Sequence, residues 1–110
     1  MKRAFLDDVR LTPGDCNITW RDADEAVSWM EENGCPSFIS FDHDLGEEQG
    51  GYSFKLKPTG LDVVKWMVER DIESPGFIPK DFDFDVHSAN PVGAKNIRSY
   101  LKQYLSMRES

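Results

Sequence analysis

Two short apolar runs in this chain stop abruptly on ionisable residues. Ala4, Phe5 and Leu6 run into Asp7 and Asp8, and the stretch Phe38-Ile39-Ser40-Phe41 runs into Asp42, His43 and Asp44. Runs so short and so nearly continuous suit central strands of a parallel sheet, covered by helices on both faces. Their polar ends then belong at the rim of the sheet, where strands give way to loops. Whatever else the chain does, it must accommodate several carboxylates at the edge of its own core.

The remaining segments supply the other elements. "RAFLDD" (3 to 8) is the first strand and "NITW" (17 to 20) a short second one, separated by the breakers Pro13 and Gly14. "DADEAVSWMEENG" (22 to 34) has a helical apolar face at Ala26, Val27, Trp29 and Met30, with Asp22 or Asp24 as its cap and Gly34 as its stop. Residues 46 to 58 carry three glycines and no period, and read as a loop. "TGLDVVKWMVERDI" (59 to 72) begins with Thr59 and Asp62 at capping-box spacing. "DFDFDV" (81 to 86) alternates strictly, as a strand with one wet face does, and "AKNIRSYLKQYL" (94 to 105) is a last helix.

Strands alternating with helices imply an α/β fold with a mostly parallel sheet. The two apolar strands belong in the centre, and the alternating and short ones at the edges, which gives the order 2-1-3-4. At 110 residues a single domain over 1–110 is expected, and 3 Trp, 7 Phe and 3 Tyr suffice for its core. A formal charge of -7 argues against sequence-independent binding to duplex DNA. Cys16 and Cys35 have no metal-type spacing, and with no signal peptide or long apolar segment the expectation is a cytoplasmic protein with reduced thiols and no membrane association.

In an open parallel sheet, ligands bind beyond the carboxyl ends of the strands, where connections diverge. For this order the point lies between the first and third strands. Asp7 and Asp8, then Asp42, His43 and Asp44, then His87, Ser88 and Asn90 all arrive there. Two carboxylates about 4 Å apart repel by roughly 4 kcal/mol at an effective dielectric of about 20. A hard divalent cation relieves that repulsion, and so does a raised carboxyl pKa. Taken singly, each group has a plain structural reading: a solvated Asp-Asp turn, Asp44 capping a turn, Asn90 capping the last helix with Pro91 at its first position. Lys95 and Arg98 are nearby positive groups, each equally readable as part of a solvated face.

With these residues assembled, "LDDVRLTP" (6 to 13), "ISFDHDLG" (39 to 46), "TGLDVVKWM" (59 to 67) and "VHSANPVGAKNI" (86 to 97) resemble the cyclic-phosphate-processing receiver-like domains of bacteria and their phages. These are compact relatives of two-component receivers. The resemblance implies a flavodoxin-like three-layer sandwich that lacks the fifth receiver strand. It maps metal binding onto Asp7 and Asp8, the strand-three carboxylate role onto Asp42, and phosphate contact onto Ser88. His43, Asp44, His87 and Asn90 are the additions that distinguish the family. No Lys-Pro follows the fourth strand, so the lysine of a phosphorelay receiver has no counterpart.

The expected function is binding, and processing as a metal-dependent phosphoesterase, of a cyclic phosphate on a nucleotide or an RNA 2′,3′-end. Asp7, Asp8, Asp42 and Asp44 would hold Mg²⁺ or Mn²⁺, Ser88 and Asn90 the phosphate, and Asp42, His87 and His43 the chemistry. Tyr52 or Phe54 of the loop could stack on a base. The alternative is a non-catalytic module that senses a ligand or docks on a protein. A phosphoacceptor receiver, with Asp42 as acceptor, is the third reading.

Overall fold

The computed structural model describes residues 2–43 and 59–108. Asp44, Tyr52, Phe54 and the rest of the loop over 46–58 lie outside the described residues. Four strands, β1 (Arg3–Leu6), β2 (Ile18–Trp20), β3 (Phe38–Phe41) and β4 (Asp83–Val86), form one sheet in the order β2-β1-β3-β4, with every pair parallel. Three helices, α1 (Ala23–Asn33), α2 (Gly60–Glu73) and α3 (Pro91–Arg108), complete it. The strand order and the two edge positions are those expected from the apolar and alternating runs.

The strand order also places the helices. The steps from β2 to β3 and from β3 to β4 cross the sheet in the same direction, so right-handed crossovers place α1 and α2 on one face. α3 packs beside α2, and buried residues of all three helices share a single core with Ala4, Leu6, Trp20, Ile39, Phe41 and Val86. The opposite face would be covered by a helix between β1 and β2, but residues 7 to 17 contain none. Among the described residues the three helices therefore line one face of the four-stranded sheet, in the α/β receiver-like arrangement expected.

Local chemistry sets the helix boundaries. Asp22 accepts from the Glu25 N–H, and Thr59 and Asp62 form the reciprocal capping box. Gly34, at φ +86°, stops α1. α3 is longer than the apolar periodicity indicates. At its start Asn90 Oδ1 accepts from the Gly93 N–H at 3.0 Å, which brings Pro91 into the first turn. At its end Arg108 donates to Asp71 at 3.1 Å and to the Ile78 carbonyl at 2.8 Å. Asp71 is 2% exposed and also accepts from Tyr104 Oη and from the Ile78 N–H. This polar knot borders a cavity of about 480 Å³ at the amino end of the strands, remote from the acidic rim. Cys16 and Cys35 are free thiols, and burial pushes Cys35 up to about 12.

The aspartates of β4 are more than a wet face. Asp83 and Asp85 fold their carboxylates onto the N–H groups of Phe84 and Val86, at 2.9 and 2.8 Å. Those two N–H groups point away from β3, because it is Asp83 and His87 that donate to the β3 side. Arg98 donates to the outward Val86 carbonyl at 2.9 Å. The free edge is thus occupied by the chain's own side chains. Replacing both aspartates, D83V with D85V, is expected to expose a flat apolar edge. Light scattering should show concentration-dependent association that the wild type lacks, and an unchanged mass would count against the edge-blocking role.

Candidate functional site

Strand pleating decides which rim residues can meet. Phe5, Ser40 and Asp85 pair in register across β1, β3 and β4 and share the face opposite the described helices. Two residues further along, the ladder continues with Asp7 N–H to Trp20, Asp42 N–H to Leu6 and His87 N–H to Phe41. Asp7, Asp42 and His87 therefore fall on that same face. One ligand atom from each lies within 4.8 Å of the others. Their sequence neighbours Asp8, His43 and Ser88 take the opposite parity, and none belongs to this group.

Asp7 is the fixed point of the cluster. Its side chain is fully buried, and Oδ1 accepts from the N–H groups of Val9 and Arg10, both at 2.9 Å. Oδ2 lies 3.0 Å from His87 Nε2 and 3.6 Å from Arg10 Nε. Burial pushes the carboxyl pKa up, but the two backbone donors and His87 outweigh it and hold Asp7 below the usual carboxylate value.

His87 is held on every side. Nε2 faces Asp7, Nδ1 lies 2.7 Å from Ser40 Oγ, and the ring stacks on Phe5 with centroids 4.5 Å apart and planes 10° from parallel. Neutral imidazole satisfies both contacts by donating from Nε2 to Asp7 and accepting the Ser40 hydroxyl proton at Nδ1. Arg10 Nη1 donates to the His87 carbonyl at 2.6 Å. Arg21 Nη1 donates to the carbonyls of Asp7 and Arg10, at 3.0 and 2.7 Å, and so braces the turn after β1.

The other expected residues divide between two settings. Asp42 is 8% exposed at the end of β3, and the α2 amino terminus presses on its backbone. A Cβ on Gly60 would stand 2.1 Å from the Asp42 carbonyl oxygen. His43, half-buried, lies on the helical side, where a Cβ on Gly93 would come within 2.4 Å of its ring. Ser88 Oγ accepts from the Asn90 N–H at 3.1 Å, and Asn90 Oδ1 caps α3. Asp8 is half-buried and outside the cluster, and Asp44 lies outside the described residues.

A family model for the cyclic-phosphate processing receiver domain matches residues 2–103. The chain belongs to this family. The match runs from β1 into the last turns of α3, and so takes in every strand that contributes to the cluster. No curated protein and no solved structure matches the chain.

Sequence reasoning passed over Ser40, Arg10 and Arg21. Ser40 did carry a signal: it is the one hydroxyl in an apolar strand, two residues before Asp42 and hence on its face. The arginines act through loop carbonyls, which no side-chain pattern discloses.

The depressed Asp7 pKa has a definite pH signature. Its ionised form contributes stability above the unfolded carboxylate value near 3.9, and that contribution is lost as pH falls through the lower folded value. Asp7→Asn keeps an oxygen for the two N–H donors but loses the charge. In metal-free buffer it should cost about 2 kcal/mol at pH 7 by urea unfolding. The gap to wild type should close below about pH 4, and a gap constant down to pH 2 would contradict the assignment.

Proposed function

We propose that this domain binds a cyclic phosphate ester, on a nucleotide or an RNA end, through a divalent cation held by Asp7, Asp42 and His87, and that it opens the phosphate ring by hydrolysis. The observation that carries this reading is the convergence of two carboxylates and an imidazole at three adjacent strand ends, in a chain of the cyclic-phosphate processing family. Mixed oxygen and nitrogen donors suit Mn²⁺ better than Mg²⁺, which favours oxygen alone. A bound ion would supply Lewis acidity toward a phosphoryl oxygen and offset the clustered carboxylates.

The chain's own groups then have separable tasks. Ser40 holds His87 at Nδ1, as the outer partner of a ligating imidazole does, and Nε2 would exchange its contact with Asp7 for the ion. The Ser88 hydroxyl, which uses its oxygen to accept from Asn90, still has its proton to offer a phosphate oxygen. In ring opening, the oxygen of water bonds to phosphorus, one ring P–O bond breaks, and the departing oxygen takes up a proton while the attacking water gives one up. Both ring nitrogens of His87 are engaged and His43 lies on the helical side, so proton movement falls to solvent.

That same engagement of His87 favours a second reading, in which the site binds a cyclic phosphate without turning it over. Calorimetry with Mn²⁺ and 2′,3′-cyclic AMP, followed by chromatography of the mixture, separates the two. Binding with product supports hydrolysis, binding without product supports sensing, and no binding by the wild type overturns both. Asp42→Asn and Ser40→Ala should each weaken Mn²⁺ binding about 10- to 100-fold, the latter with a stability change near 1 kcal/mol. Unchanged Mn²⁺ affinity in both would remove the metal from the proposal.

A further inference from the structure

We propose that Arg10 is the anion-binding residue of this site, pairing its guanidinium with the non-bridging oxygens of the bound phosphate. The inference rests on the phosphate reading above and gives a recognition role to a residue that neither the strand ends nor the reading of "LDDVRLTP" had assigned one. Arg10 leaves the turn after β1 and reaches across to β4, where Nη1 is fixed on the His87 carbonyl at 2.6 Å. Its Nε stands 3.6 Å from Asp7 Oδ2. The guanidinium is therefore held beside two members of the Asp7, Asp42 and His87 group.

Holding it there has a chemical consequence. Nη2 has no partner among the described residues, and the side chain is 47% exposed beside a fully buried Asp7. The edge formed by Nη2 and the second Nη1 hydrogen presents two parallel donors, the geometry that pairs with two oxygens of one phosphate. A cyclic phosphodiester offers two such oxygens sharing a single negative charge. The Arg21 guanidinium, locked on the carbonyls of Asp7 and Arg10, keeps the Arg10 backbone in place, so little side-chain and loop freedom remains to be lost on binding.

The test uses Arg10→Gln in the full chain, with Arg10→Lys as the variant that keeps the charge but not the fork. Three ligands are titrated calorimetrically: Mn²⁺ alone, inorganic phosphate with Mn²⁺, and 2′,3′-cyclic AMP with Mn²⁺. The Gln variant should bind both anions at least about tenfold more weakly. It should bind Mn²⁺ as well as the wild type or better, because a positive charge near the cation has gone. A merely structural role would weaken metal and anion together, and that result overturns the proposal. The Lys variant should fall between wild type and Gln, and urea unfolding of both variants verifies that they are folded.

The remaining outcomes separate this proposal from the functional reading. Cyclic nucleotide bound equally by wild type and Gln variant overturns the role of Arg10 and leaves that reading standing. Inorganic phosphate bound through Arg10, with no binding of the cyclic nucleotide, does the reverse. A wild type that binds neither anion overturns both.

Discussion

A carboxylate buried at the end of a central strand must find donors, and most of the rim geometry follows from how Asp7 finds them. Stripping water from a charge costs far more than a single hydrogen bond returns. Asp7 recovers it through two N–H groups of its own turn and the ring of His87, eighty residues away in sequence. That turn in turn carries Arg10 to the His87 backbone. Satisfying one charge thus fastens β1 to β4 across β3, and it draws the site into shape before any ligand arrives. Fold stability and site geometry are here the same set of bonds.

Pleating then sorts the polar residues into two groups. Each strand end delivers consecutive polar residues, and consecutive residues point to opposite sides. Asp7, Asp42 and His87 gather on the side opposite the described helices, beyond Phe5 and Ser40. His43 meets Gly93 at the start of α3, and Gly60 brings the α2 backbone against the Asp42 carbonyl. The two glycines act as spacers, letting helix termini approach the strand tips more closely than any side chain would allow. With the helices confined to one face, the cluster opens on the side where no helix stands among the described residues.

Much of this was legible in the sequence, for definable reasons. The apolar runs fixed β1 and β3 as central, because only a covered strand can be apolar throughout. Strict alternation put "DFDFDV" at an edge, and the capping residues Asp22 and Thr59 located the helix starts. The rim itself was found by counting which strand ends carry ionisable groups. The lack of a helix between β1 and β2 was legible too, in the breakers Pro13 and Gly14. The division of the rim residues was not, because it needs the register of Leu6, Phe41 and Val86 as well as their membership of strands. Asn90, weighed as both cap and ligand contact, does cap α3 through Oδ1.

The aspartates of β4 have a consequence for what the sheet edge can accept. Receivers with five strands continue their sheet past the fourth, whereas this chain has filled its outward N–H groups with its own carboxylates. Lengthening it into a longer sheet would take more than an appended segment. Asp83 and Asp85 would first have to release the N–H groups of Phe84 and Val86. A fifth strand and this pair of carboxylates would therefore compete for the same two donors.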